Sequence, residues 1–204
     1  MNVRVRRRPG RPVGGRPVVD RDLLLDAAER VIARDGNGAS LEAIAVEAGV
    51  TKPIVYARVG SRAELSNALA SRLSDRLLAA GREAIDGDLD HRTLAALFRS
   101  NLEILDAHRE LFLYVTRGTG DDTPERTLFL AGRSATALAE LLADSRRRGG
   151  ADDSVALPWA YGIVGVINLV SLWWLDARDR PADVLADQLA ELVWSGLSAS
   201  SPDA

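Results

Sequence analysis

Residues 40–58, Ser-Leu-Glu-Ala-Ile-Ala-Val-Glu-Ala-Gly-Val-Thr-Lys-Pro-Ile-Val-Tyr-Ala-Arg, read as two short helices folded across a tight turn. Leu41, Ile44 and Ala45 fall at helical spacing, Gly49 interrupts them, and Thr51 restarts a helix that carries Val55 and Tyr56. A crossed helix pair of this kind needs a small residue within its first helix so that the second can pack closely, and Ala45 supplies it. The corner needs a residue at ease with positive φ, which Gly49 supplies. The second helix needs a buried aliphatic on its inner face, which Val55 supplies, leaving Lys52, Pro53, Tyr56 and Ala57 on other faces. These requirements fall four and then six positions apart, the spacing of a helix-turn-helix that presents its second helix to a DNA groove. Two core helices joined by a glycine share the local pattern, so the flanking chain has to decide between the readings.

Upstream lies a basic arm, residues 1–20. Through Arg21 the chain carries seven arginines against one acid, Asp20. That leaves 19 of the 26 cations against 28 of the 29 acids, so the overall charge of −3 conceals a basic arm on an acidic body. Such an arm suits phosphate neutralisation with counterion release, whereas DNA would repel the body. Gly10-Arg11-Pro12 and Gly15-Arg16-Pro17 repeat a triplet that proline and glycine keep extended. The triplets resemble the core of AT-hook peptides, although neither is preceded by the arginine that motif prefers. Arg7, Arg8, Arg11 and Arg16 are the expected arm contacts with DNA, within reach of a narrow minor groove. A solubilising tail or a targeting peptide would share this composition, but no apolar core follows the arginines as a secretory signal requires. The expected location is the cytoplasm.

The inventory of all 204 residues narrows the chemistry. There is no cysteine, hence no disulfide framework or thiol nucleophile, and two histidines far apart, His91 and His108, give no metal site. No nucleophile–base pair and no phosphate-cradling glycine loop occurs, so no enzyme, cofactor or metal is expected. After the arm the apolar period is helical throughout, and no sustained alternation suggests a strand. The pattern predicts an all-α chain of about nine helices. A three-helix DNA-binding domain over 21–66 precedes a larger helical regulatory and dimerisation domain over 67–198, with a frayed tail at 199–204. Gly118 to Pro124 reads as a loop, and Arg146 to Asp153 as a polar connection between helices.

The 41–65 segment resembles the DNA-binding signature of the TetR family of bacterial repressors. Ile44-Ala45, Ala48-Gly49-Val50-Thr51, Val55-Tyr56 and Ser61-Arg62-Ala63-Glu64-Leu65 carry the likeness. Val59 stands where the family usually has phenylalanine, and Arg58 where histidine is common. The resemblance implies a dimeric, ligand-released repressor on a palindromic operator of double-stranded DNA. Ser40 and Thr51 are expected to cap the two helices and meet phosphate, with Arg58 reaching phosphate beside them. Tyr56 is expected to donate to the DNA backbone, or else to sit in the core. Lys52 and Pro53 face base edges or the groove wall, and Lys52 is the one strong donor to a guanine there.

Residues 155–175 contain no charge over 21 positions, which raises a membrane span. Pro158, Asn168 and small or polar breaks, with no basic flanks, favour instead a helix buried in a homodimer through the last two helices. The resemblance implies the same pairing, as a four-helix bundle. Trp173 and Trp174 are adjacent and cannot both face one interior. For an unknown small-molecule effector, apolar or amphipathic, the candidate lining residues are Phe98, Asn101, Tyr114, Phe129, Trp159 and Asn168, each of which could equally be an ordinary core residue. The rival reading is a helical body that binds a protein partner and has no small-molecule pocket.

Overall fold

Asp20 opens the first helix, accepting a hydrogen bond from the Asp22 amide at 3.5 Å. The computed structural model describes residues 20–84, 90–117 and 123–198, with backbone alone at 117, 123–130 and 197–198. Among the described residues there are nine α-helices, one short 3-10 turn and no strand. Helix α1 (Arg21–Asp35) buries Leu24, Leu25, Ala28, Val31 and Ile32 on one face. It ends at Gly36, where φ is +54°. The 3-10 turn Gly36–Gly38 then leads to α2 (Leu41–Glu47), and α3 follows as Lys52–Val59.

Helix α4 (Arg62–Ala84) starts on a reciprocal cap. The Glu64 amide donates to Ser61 Oγ at 3.2 Å, and the Ser61 amide donates to Glu64 Oε2 at 2.7 Å. Gly60, with φ +78°, is required twice over here. A Cβ would be strained at that φ and would also crowd the Glu64 carboxylate that completes the cap. Helix α4 then runs 23 residues, roughly 35 Å, straight across the boundary expected at 66–67. Leu65, Leu69 and Leu73 form its buried stripe.

The body adds α5 (His91–Ala107), α6 (Arg109–Arg117), α7 (Thr123–Arg148), α8 (Ala156–Ala177) and α9 (Ala182–Ser198). Asp90 caps α5 through the Thr93 amide at 2.7 Å. Two expected boundaries move. Pro124 lies in the first turn of α7, where its missing N–H leaves no bond unmade, so the expected loop is shorter than 118–124. At the other end α7 continues through Arg146, Arg147 and Arg148, cations that suit the negative end of a helix dipole.

Helix α7 packs on α8 and α9 on α5, while α4 and α6 touch the head formed by α1–α3. The buried apolar side chains form one continuous core from Leu24 to Ala190. Within one chain α8 is covered on a single face, through Ala160, Ile163, Val164, Ile167, Trp174 and Leu175. Leu157, Tyr161, Leu169 and Trp173 remain exposed, as do Val184 and Leu192 of α9. The two adjacent tryptophans diverge as expected. Trp174 is buried and its Nε1 donates to the Arg180 carbonyl at 2.8 Å, whereas Trp173 is half-exposed.

Candidate functional site

The head is built around Val55, fully buried on the inner face of α3, with Ala45 and Ile44 of α2 against it in the same core. Ser40 caps α2 through the Ala43 amide at 3.1 Å. Gly49 takes φ +67°, the left-handed corner that turns α2 into α3. Val59 is buried at the junction of α3 and α4. Lys52, Pro53, Tyr56, Ala57 and Arg58 all lie exposed on one helix, eight residues long. Tyr56 is 49 % exposed, so it belongs to the surface of the head and not to its core.

One expectation needs correcting. Thr51 has the extended backbone of an N-cap, but its side chain accepts no capping hydrogen bond. Pro53 removes one of the amide donors such a cap could satisfy. Thr51 itself is exposed at the start of α3. Lys52 is engaged in the free chain: its ammonium pairs with Glu42 of α2 and lies 6.0 Å from the centre of the Tyr56 ring. The Glu42 hydrogen bond holds the lysine above its ordinary pKa, and the same bond with Lys52 holds Glu42 below its own. Both partners stay charged across the neutral range. Glu42 did not stand out in the sequence because its meeting with Lys52 depends on the crossing of α2 and α3, not on spacing along either helix. Arg7, Arg8, Arg11 and Arg16 lie outside the described residues.

Ion pairs lock the head to α4. Arg72 reaches Asp26 at 2.6 Å and Asp22 at 3.0 Å, and Arg76 reaches Glu29 at 2.7 Å. Near the start of α4, Arg62 donates to the Asn37 carbonyl at 2.9 Å and lies 5.4 Å from the centre of the Tyr114 ring. Tyr114 is therefore a buried strut between α4 and α6. It does not line either chamber described below, because its position on α6 turns it toward the head.

Further along α4, between α4, α5, α7 and α8, lies a cavity of about 350 Å³. Its walls are mainly apolar, with Leu77, Leu94, Phe98, Leu141, Ile163 and Ile167 among them. A recess of about 30 Å³ adjoins it, sharing Leu77, Asn101, Ser134, Val164 and Ile167, and adding Leu73, Phe112 and Asn168. Three expected lining residues, Phe98, Asn101 and Asn168, are thus brought to one place. Trp159 is not: it stacks under the Arg146 guanidinium, 4.6 Å away, at the far end of α7. The Phe129 side chain lies outside the described residues. Ser134 and Phe112 were missed, since a lone serine on an amphipathic helix carries no signal of its own. Among the described residues no three His, Asp or Glu side chains converge as metal ligands.

Comparison with known proteins agrees with this geometry. Residues 24–69 match the model of bacterial regulatory proteins of the tetR family, and residues 82–204 match the tetracyclin repressor-like C-terminal domain. The chain belongs to the TetR family. It is a DNA-binding transcriptional regulator, all-α, with its helix-turn-helix at the N-terminal end. The HTH-type transcriptional activator FasR of Mycolicibacterium smegmatis is 26 % identical, over 97 % of this chain and 94 % of that protein. An uncharacterized HTH-type transcriptional regulator of Mycobacterium tuberculosis is 28 % identical, over 87 % and 76 % respectively. Among solved structures, the regulator FadR of Bacillus subtilis in complex with stearoyl-CoA superposes with a TM-score of 0.68. It is 16 % identical and the match covers 86 % of this TetR-family chain and 98 % of that one, a likeness of fold.

Proposed function

We propose that this TetR-family regulator is a homodimeric, cytoplasmic repressor that leaves its operator when an apolar or amphipathic small molecule occupies the cavity. The observation that carries the reading is the continuity of α4. One unbroken helix begins at the reciprocal cap that follows the reading helix, is tied by Arg72 and Arg76 to α1, and lines the cavity with Leu77, Leu78 and Gly81. A ligand that favours a different setting of α4 would shift the spacing between two reading heads. It acts only to the extent that it binds the released state more tightly.

The outward stripes of α8 and α9, with Tyr161, Leu169, Trp173 and Leu192, support the dimer. A two-fold pair then presents two reading helices to inverted half-sites. On DNA, Lys52 serves as the base-reading donor, Tyr56, Thr51, Ser40 and Arg58 meet the backbone, Pro53 abuts the groove wall, and the arm arginines neutralise phosphate. A solved neighbour of the same fold was obtained with stearoyl-CoA, which supports a ligand with a long apolar part.

Selection of bound sequences from a random duplex library, with the full-length protein at near-physiological salt, tests the reading. An inverted repeat with half-sites about one helical turn or more apart is expected. Asymmetric AT-rich sequence would assign binding to the arm alone and end the repressor reading.

A further inference from the structure

A groove on the head separates the arginines that the fold uses from those it leaves over. It is bounded by the first turn of α1, the last turn of α3 and the adjoining stretch of α4, and has a volume of about 780 Å³. Arg21, Tyr56 and Arg58 line it together. Every other side-chain cation of the head is already engaged: Arg30 and Arg34 with Glu47, Lys52 with Glu42, and Arg62 with the Asn37 carbonyl. Arg21 and Arg58 are exposed, and neither has a hydrogen bond or ion pair among the described residues.

The acids of the same groove are taken. Asp22 pairs with Arg72 at 3.0 Å, Asp75 with Arg133 at 2.7 Å, and Glu64 accepts the Ser61 amide at 2.7 Å. The formal charges lining the groove balance, three against three, but the two left without a partner are both positive. The Arg72–Asp22 pair also holds the first turn of α1 against α4, which sets Arg21 in place relative to α3.

Two guanidinium groups without carboxylate partners suit a phosphate, whose oxygens accept from both at once. A phosphate entering here displaces nothing, whereas at Lys52 the ammonium must first be drawn away from Glu42. The place also fits a duplex. With α3 in the major groove, its last turn, carrying Tyr56 and Arg58, meets the sugar–phosphate rim. Across the groove α1 begins, and the arm joins it at Asp20. Arg16 stands five residues before Arg21, a reach of at most about 18 Å against a minor groove roughly 6 Å wide.

We infer that Arg21 and Arg58 hold one backbone phosphate of the operator between them, with the Tyr56 hydroxyl as a third donor, and that this phosphate fixes the point from which the arm enters the neighbouring minor groove. The inference rests on the DNA-reading surface described above and adds to it a residue of α1, Arg21, and a contact shared between two helices.

A scan of the selected operator, each phosphate replaced in turn by an uncharged methylphosphonate, tests it by fluorescence anisotropy with full-length wild type, Arg21→Gln, Arg58→Gln and Lys52→Ala. Several positions should weaken wild-type binding by about three-fold or more, the scale of one neutralised phosphate. One of them in each half-site should lose most of its effect in Arg21→Gln and in Arg58→Gln alike, and keep it in Lys52→Ala. Arg21→Lys, which retains the charge, should restore it, and melting by circular dichroism separates a lost contact from a lost fold. Arg21→Gln should also weaken operator and random duplex by the same factor, since a phosphate contact carries no sequence information. Different positions silenced by the two arginine variants would overturn the shared phosphate, and a scan unchanged in Arg21→Gln would overturn the role of the groove. If the library yields asymmetric sequence, the same scan on that duplex still gives one of these outcomes, so failure of the repressor reading and failure of the inference are told apart.

Discussion

The reading head holds several of its polar side chains in internal pairs, whereas the cavity leaves an amide oxygen of its lining unpaired. In the head Ser40 holds the Ala43 amide, Ser61 and Glu64 hold each other, and Lys52 is paired with Glu42. In the body the amide oxygen of Asn101 has no partner. Both regions share one continuous core, so the difference is not one of packing. A surface that must fit a repeating polymer is best built in advance, with its side chains already placed. A chamber that must sense a molecule is best left incomplete, so that occupancy changes its energy.

The largest effect should come from breaking the head at its centre. Val55→Asp places a carboxylate where the structure allows no solvent, and is expected to cost more than about 3 kcal/mol and to abolish operator binding. Thermal melting by circular dichroism and an electrophoretic shift check both. An operator affinity within a few-fold of wild type would contradict the placement of Val55. The matching lesion in the body, Leu102→Ala, truncates a fully buried side chain of α5 and should cost about 2–5 kcal/mol in urea unfolding. Because the core is shared, its transition should remain a single one; two resolved transitions would show that head and body unfold apart.

Smaller effects sharpen the comparison. Lys52→Ala should weaken operator binding by about 1–3 kcal/mol and random duplex much less. Glu42→Gln should strengthen both, since it frees an ammonium that DNA otherwise has to capture from a carboxylate. Equal losses on the two duplexes for Lys52→Ala would argue against base reading. The smallest effect concerns His108, which ends α5 at the seam with α1 and α4. Burial, and then the nearby Arg76 charge, hold its pKa below the ordinary 6.5, with Glu29 opposing. The unfolded chain therefore takes up this proton first as the pH falls. His108 contributes no loss well above pH 6.5, and stability declines as acidification passes 6.5 toward the lower folded value. His108→Gln should flatten that decline between pH 7.5 and 5.5 in urea titrations at fixed temperature. An unaltered slope would remove His108 from the account.

Much of the head was legible because its requirements are local. Ala45, Gly49 and Val55 must fall at set intervals whatever surrounds them, whereas the reciprocal cap of Ser61 and Glu64 was not read, although its spacing is local. The cavity was legible only in fragments. Asn101 and Asn168 stood out as amides on apolar faces, yet their meeting depends on how α5, α7 and α8 are set against α4. At Tyr114 and Trp159 aromatic character left cavity lining and core open, since it signals a flat apolar surface without saying what covers it, and both pack with the core. Arginine covers both, from Arg62 and Arg146. Pro124 misled for a different reason: proline ends a helix from within but begins one without cost. The Lys52–Glu42 pair escaped notice because two exposed charges ten residues apart acquire meaning only once the helices cross.

Lys52 is also the only lysine among 204 residues, every other side-chain cation being an arginine. The chain's side-chain amine chemistry is therefore concentrated at a single atom on the reading helix. Acetylation of that nitrogen would erase its charge, release Glu42 as an uncompensated anion facing DNA, and leave every arginine contact untouched. One acyl group on that side chain would alter groove recognition without altering any arginine of the molecule's cationic surface.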